Sequence, residues 1–322
     1  MSHSLSPKEK TTVALLAALA VACIIFVLSP AAPGGILIFI MAFPFAQVGY
    51  GLRALSLTGD VGNAVAMVLY ALLCISPIIS ALRFRRFKPE DALLPVVSIV
   101  LFYVMYQMIN PGRLPFAAGA VEIEQAVLGG IVYSLVLAYC VLRVLRLCGT
   151  ASSRGLGRYM RVILHLLYVL FVFAVFGIGY GQMLAAFAAL RAGNIGNEHL
   201  LGTTYVFITL RHVVSALPHV LSMWVVFYAL RLIEALGMDQ YSDVTLAAVN
   251  KLVMVCKWAL GVSVLSSAGF NVLQLMFLGR LHVVDSNIHF PVTSILFVLG
   301  ALLLTQFITE NKLLKDENDQ FV

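Results

Sequence analysis

The sequence predicts an all-α integral membrane protein, a polytopic helical bundle of about nine transmembrane helices. Of its 322 residues, 61% are hydrophobic and 11% are charged, and the mean hydropathy is +0.98. Soluble domains have about 45–50% apolar and about 25% charged residues. Apolar runs of about 20 residues, the length that crosses about 30 Å of hydrocarbon, recur along the chain. Because these runs lack the alternation of a β-barrel, they indicate helices.

Nine segments have this length, and each is separated from the next by proline, glycine or charged residues. They are approximately Thr11–Leu28, Gly35–Leu52, Gly62–Leu82, Ala92–Ile109, Gln125–Leu145, Arg161–Ala186, Tyr205–Arg231, Lys251–Leu278 and Phe290–Thr309.

The orientation follows from the positive charges. Arg83–Lys88 and the junction Arg143–Arg161 are rich in arginine, so both are predicted to be cytoplasmic, and counting crossings places the C-terminus there too. Three full crossings before the first arginine loop put the N-terminus outside, against the preference of Lys8 and Lys10. In the alternative, one of the first two segments, interrupted by prolines such as Pro44, is interfacial or re-entrant.

The sixth and seventh segments are longer than the membrane requires. Their apolar pattern continues through Met183–Leu190 and Thr203–Leu210, beyond about 20 residues counted from the arginines at their cytoplasmic ends. We therefore expect a helical hairpin on the extracytoplasmic face, capped by Arg191–Gly202.

The chain divides into two predicted halves, residues 1–150 and 151–322. The loop Arg86–Asp91 precedes its helix much as Gln240–Asp243 does, with an aromatic residue, a helix-starting proline or serine, and acids in the first turn. Two interpretations stay open, a diverged internal repeat and the independent appearance of similar helix caps.

Two short features in the second half carry a family resemblance. Gly237-Met238-Asp239-Gln240-Tyr241-Ser242-Asp243 is similar to a Gly-x-x-Phe-Ser element between two helices, with Tyr241 in place of Phe. The tail Glu310–Val322 resembles an ending with Glu-Gly, Leu and Glu-Asn-(Asp/Glu)-Leu-Thr-(Ile/Val), with Asn311 in place of Gly. Both features are typical of the YoaS-like family of bacterial membrane proteins, which the chain resembles from about Leu156 to its end.

The resemblance implies a four-helix domain in the bacterial inner membrane, with no established enzymatic activity and genes often found beside helix-turn-helix regulators. We therefore expect a non-enzymatic binding, regulatory or accessory subunit that is surrounded by membrane lipids. It is expected to contact a cytoplasmic protein, for example a helix-turn-helix regulator, and to form homo- or hetero-oligomers. The basic residues are not interleaved with aromatics as in nucleic-acid-binding proteins. The predicted docking residues are Asp239, Tyr241, Ser242, Asp243, Glu310, Leu313, Glu317 and Asn318.

A second candidate site lies on the predicted extracytoplasmic side. It consists of His199, His212, His282, His289 and Asp285, near Glu198. Imidazoles with a carboxylate suit zinc or copper, and clustered histidines can also respond to pH. The alternative is that these are interfacial residues and that the protein has no cofactor.

The alternative function is a permease or transport component for a small amphiphile. Such a protein needs a polar path, and the amides that could line one are Gln47, Asn63, Gln107, Asn271 and Gln274. Every acid lies in a loop or at a helix end, which argues against ion-coupled transport.

His212 and His219 are seven residues apart, but Pro218 is expected to disrupt their common helix face.

Overall fold

The computed structural model describes residues 7–29, 36–83, 88–111, 121–150, 153–238 and 242–283, with single positions at 300 and 310. These residues are almost entirely helical and contain no strand. The ninth predicted segment, Phe290–Thr309, lies outside them apart from Gly300.

The α-helices cover the first eight predicted segments, but the second segment is divided between two helices, and the helices of the sixth and eighth segments begin eight residues before the predicted starts. They are α1 (Pro7–Leu28), α2 (Ile36–Ala42), α3 (Phe45–Ser56), α4 (Asp60–Arg83), α5 (Leu93–Ile109), α6 (Val121–Thr150), α7 (Ser153–Val172), α8 (Tyr180–Ala192), α9 (Gly202–Met238) and α10 (Asp243–Met276). A 3-10 turn, Pro89–Ala92, leads into α5, and a π-helical segment, Phe173–Gly179, joins α7 to α8.

Seven helices in the described part of the chain are long and apolar enough to cross a membrane, and the bent pair α2–α3 passes the same test when its members are taken together. α4 shows why lipid is the solvent, because its exposed residues include a continuous apolar stripe: Val65, Leu69, Leu72, Ile75 and Ile79. Water would not tolerate so large an apolar surface. The chain is an all-α, multi-pass membrane protein.

The helices form two compact units. The N-terminal unit is Ser29–Ala151, and the C-terminal unit combines Met1–Leu28 with Ser152–Val322. The predicted boundary near residue 150 coincides with this division. The structure differs in one respect, because α1 packs with α7, α8 and the π-helical segment rather than with the first half of the chain. Sequence order gave no sign of this long-range contact.

α5 is the central helix of the N-terminal unit. In its most apolar window 44% of residues are buried, against 6–28% in the other candidate spans. It packs on α3, α4 and α6, and Val104, Met105 and Met108 are almost fully buried. The polar groups at both ends of α5 are therefore shielded by neighbouring helices.

Small residues allow α2 and α6 to approach closely. A Cβ at Gly129 of α6 would overlap the carbonyl oxygen of Met41, whereas one at the adjacent Gly130 would make an ordinary contact, 3.8 Å from Sδ of Met41. Close approach at small residues increases the van der Waals contact that holds helices together in lipid.

This contact predicts a difference between two neighbouring substitutions. Gly129→Ala should lower the free energy of unfolding by about 1–3 kcal/mol, because the added methyl overpacks a tight contact. Gly130→Ala should be neutral or stabilise the protein by up to about 1 kcal/mol through helix propensity. Unfolding by SDS titration in mixed micelles measures both, and equal effects would contradict the packing described.

The C-terminal unit is built on a long helical hairpin. The rod from α7 to α8 is helical over the 38 residues Gly155–Ala192, and α9 has 37. At 1.5 Å per residue each is about 56 Å long, more than the thickness of the hydrocarbon. The predicted elongation of both helices is confirmed, and residues 193–201 connect them.

α1 runs parallel to the α7–α8 rod. Near its start, Glu9 accepts hydrogen bonds from Nε and Nη2 of Arg231, at 3.1 and 3.0 Å. Near its end, Val27 lies 3.7 Å from the position of a Cβ on Gly181. Arg231 is two residues from Ile233, whose side chain packs at Gly157 of α7. α1 therefore begins at the end of this unit where α7 begins.

This direction bears on the number of crossings. The arginine-rich segments before α5 and α7 are predicted to lie on one face of the membrane. If α1 begins on that face as well, the chain crosses the membrane an even number of times before Arg83, and α1 and α4 supply two crossings. The pair α2–α3 then does not cross, which fits its lengths of only seven and twelve residues and its bend of 55°. The structure favours the interpretation in which the second segment is re-entrant or interfacial.

Accessibility of single cysteines tests this topology. In a cysteine-free background, Ser4→Cys and Ser153→Cys should react with an impermeant maleimide from the same side of the membrane, and Asn194→Cys from the opposite side. Labelling of Ser4→Cys together with Asn194→Cys would instead require three crossings before Arg83.

Candidate functional site

Two acids at the start of α5 form a buried charged site. Pro89 opens the 3-10 turn, and the backbone N–H of Lys88 donates to Oδ2 of Asp91 at 2.9 Å. The predicted helix start is confirmed. The acids, however, are not merely exposed complements of the helix dipole, because Glu90 is 5% and Asp91 is 2% exposed.

The partners of these acids come from the end of α6. Arg146 forms an ion pair with Glu90. The hydroxyl of Tyr139 lies 3.5 Å from Oδ1 of Asp91 and accepts a hydrogen bond from Arg143. Buried carboxylates need such partners, since an unpaired buried charge is strongly destabilising. Arg146, one of the arginines that predict the orientation of the chain, thus also fastens the start of α5 to α6, and Arg143 acts there through Tyr139.

Removing one partner should reveal this role. Arg146→Ala should lower the free energy of unfolding by about 3 kcal/mol, the low end for a broken buried pair, because Arg146 is partly exposed. Glu90→Gln in the same protein should recover part of the loss, since no charge is then left buried.

A matched control is the exposed pair Arg191–Glu198, at 3.5 Å. Glu198→Ala there should change stability by less than about 1 kcal/mol. An equally small effect of Arg146→Ala in SDS titration would show that the Glu90 pair adds nothing to stability.

A comparable pair lies in the C-terminal unit. The Arg231 guanidinium bonds Glu9 and also lies 4.4 Å from the ring centroid of Phe227, a cation–π contact. This pair fastens the start of α1 to α9. It places the start of α1 at the same end of this unit as the start of α7.

The predicted docking residues are only partly within the described structure. Ser242 caps α10, its Oγ accepting from the backbone N–H of Thr245 at 3.2 Å, and Asp243 is exposed in the first turn. Glu310 is described as a single helical position. The other five residues lie outside the described ranges, so a joint surface of loop and tail stays a prediction; they are Asp239, Tyr241, Leu313, Glu317 and Asn318.

The proposed metal ligands are dispersed where they can be placed. His199 is exposed in the 3-10 turn Glu198–Leu200. His282 donates its backbone N–H to Oγ1 of Thr204 at 3.2 Å. His212 lies eight residues further along α9, about 12 Å away along the axis.

No three His, Cys, Asp or Glu side chains in the described ranges are grouped closely enough to hold a metal. His289 and Asp285 lie outside those ranges, so the full predicted set is not tested.

The tip of the hairpin carries an open cleft of about 560 Å³. Its lining includes Phe187 and Tyr205, whose rings meet edge to face at 5.2 Å. The carboxylate of Glu198 faces this cleft and is paired with Arg191. That pairing opposes a role for Glu198 as a metal ligand.

His212 and His219 share one face of α9. Contrary to the expectation from the sequence, Pro218 does not interrupt this helix. Their rings contact Tyr180 and Phe171, with centroids 6.3 and 6.1 Å apart, on either side of the π-helical segment. A Cβ at Gly179 would lie 3.2 Å from Cε1 of His212. Both histidines pack between the rods, and a shared ligand is not needed to explain them.

The amides proposed for a transport path do not form one continuous row. Gln47 and Asn63 are exposed, and Asn63 accepts a hydrogen bond from Ser56 at 2.7 Å. Gln107 and Gln274 are buried, and Asn271 has a buried oxygen without a hydrogen-bond partner. Gln107 belongs to the N-terminal unit, and Asn271 and Gln274 to the C-terminal unit.

Sequence reasoning missed a buried acid. Glu124, in the first turn of α6, is 7% exposed, and its Oε1 has no hydrogen-bond partner. Its place at a helix end suggested a solvated residue. The only sequence signal was its position among apolar residues, between Ile123 and the run that begins at Ala126.

No known family model matches the chain, and no curated protein or solved structure is significantly similar to it. The resemblance to the YoaS-like family therefore stays a prediction.

Proposed function

We propose that this chain is a non-enzymatic, multi-pass protein of the bacterial inner membrane that binds a cytoplasmic protein through its arginine-rich face. The supporting observation is that an ion pair fastens a helix end within each unit, Glu90–Arg146 in the N-terminal unit and Glu9–Arg231 in the C-terminal unit. A surface held in one geometry pays less entropy when a partner binds than loose loops do.

The same pairs divide the arginines into two groups. Arg146, Arg143 and Arg231 are engaged with residues of the chain. By contrast, Arg158 and Arg161 are exposed near the start of α7, where Arg161 makes only a hydrogen bond within its own helix, from Nε to the carbonyl oxygen of Gly157 at 3.3 Å, among the contacts described. Exposed guanidinium groups suit an acidic partner surface, and they would guide its approach electrostatically. The partner expected from the family resemblance is a regulator of the helix-turn-helix type, and the exposed start of α10 at Asp243 adjoins the predicted docking loop.

In vivo crosslinking followed by purification tests this proposal. The full chain should recover a reproducible cytoplasmic partner. The double variant Arg158→Gln/Arg161→Gln should reduce its recovery by about tenfold, because two exposed charge pairs contribute roughly 1.4 kcal/mol together. Deletion of Lys312–Val322 should also reduce it, if the tail shares the docking surface.

The matched control is Arg191→Gln, an exposed arginine at the opposite end of the α7–α8 rod, which should leave recovery unchanged. The proposal fails if no partner is recovered with the full chain. It fails equally if the α7 variant and the tail deletion recover the same partner as the unchanged protein.

A further inference from the structure

The middle of α3, the last turn of α5 and the first turn of α6 form a polar junction, in which Tyr50 is half exposed. The side chain of Gln125 donates from Nε2 to the hydroxyl of Tyr50 at 2.9 Å, which joins α6 to α3. A Cβ at Gly49 would lie 2.8 Å from Cβ of Met108, so α3 also touches α5 here. Three helices therefore meet within one turn of each other.

Two further side chains belong to this junction. Gln107 immediately precedes Met108 on α5, and Glu124 immediately precedes Gln125 on α6. Each is 7% exposed. Met108 and Gln125 contact the adjacent residues Gly49 and Tyr50 of α3, which places Gln107 and Glu124 near the same level of the N-terminal unit.

Each of these side chains has a buried oxygen that accepts no hydrogen bond: Oε1 of Gln107 and Oε1 of Glu124. An unpaired buried acceptor costs about 1–3 kcal/mol, and more when it is charged. Within a membrane span, water is not freely available to reduce that cost. The first turn of α6 favours a negative charge at Glu124, because the helix dipole is positive there. A cation bound beside Glu124 would satisfy both oxygens.

The chemistry of the free atoms limits what it can be. Both are oxygens, one from a carboxylate and one from an amide, and no nitrogen or sulfur donor accompanies them in the contacts described. Oxygen ligands suit hard cations such as those of the alkali and alkaline-earth metals, rather than zinc or copper. A single carboxylate balances a single positive charge. We propose that Glu124 and Gln107 bind a monovalent cation of the size of sodium.

The N-terminal unit supplies a matched control for this site. Glu122 lies in the same turn of α6 as Glu124 but is exposed. Replacing either acid by glutamine removes one negative charge from the same helix end. Only the replacement at 124 removes the proposed ligand.

Binding of ²²Na⁺ to the purified full chain in nanodiscs gives the direct test. The unchanged protein and Glu122→Gln should bind sodium saturably and near stoichiometrically. Glu124→Gln should bind it at least about tenfold more weakly, since loss even of an outer partner of a metal site costs about 10–100-fold in affinity. Gln107→Leu, which removes the neutral ligand, should also weaken binding.

Thermal unfolding supplies an independent readout. Sodium chloride should raise the Tm of the unchanged protein and of Glu122→Gln relative to N-methyl-D-glucamine chloride at equal ionic strength. For Glu124→Gln the two salts should give the same Tm. In the organic salt this variant should be at least as stable as the unchanged protein, because it no longer buries an unpaired charge.

Absence of saturable sodium binding by the unchanged protein would overturn the proposal. That result is expected if a positively charged side chain of the protein neutralises Glu124. Binding by Glu124→Gln equal to that of the unchanged protein would also overturn it. Both outcomes are independent of partner recovery at the arginine-rich face, so this site and the proposed docking function can fail separately.

Discussion

The exclusion of water from the hydrocarbon governs this structure. A polar group that leaves water must find its partner inside the protein, because lipid offers none. Glu90 and Asp91 illustrate the rule at the start of α5, where residues of α6 satisfy both acids. Glu9 satisfies it through Arg231. These pairs join neighbouring helix ends, and apolar residues pack between the ends.

The same constraint gives the arginines two different roles. Positive residues near helix ends orient a membrane protein by remaining on the cytoplasmic side, but a guanidinium can also pair with a carboxylate at the edge of the membrane. Arg146 does this, and it is two-thirds buried, whereas Arg158 is exposed. Their charge is identical, so only the packing of neighbouring helices distinguishes a structural arginine from one available to a partner.

The proposed sodium site lies at the opposite end of the N-terminal unit's central helix from the buried pair Glu90–Arg146. From Asp91 to Gln107 the chain rises about 24 Å, nearly the thickness of the hydrocarbon. At the first end the acids are fully partnered. At the second, Glu124 and Gln107 retain free oxygens, and this difference between two otherwise comparable buried sites is why only the second is assigned a ligand.

Composition and segment length by themselves determined the membrane class, the approximate bounds of the helices and the excess length of the hairpin, because these depend on local apolar content. The helix starts at Pro89 and Ser242 were also predictable, since caps are local. Tertiary structure alone decided that α1 packs with the second half of the chain, that Pro218 leaves α9 intact, and that Glu90 and Glu124 are buried. Whether a helix end is covered depends on which distant helix packs over it, and neither composition nor periodicity records that choice.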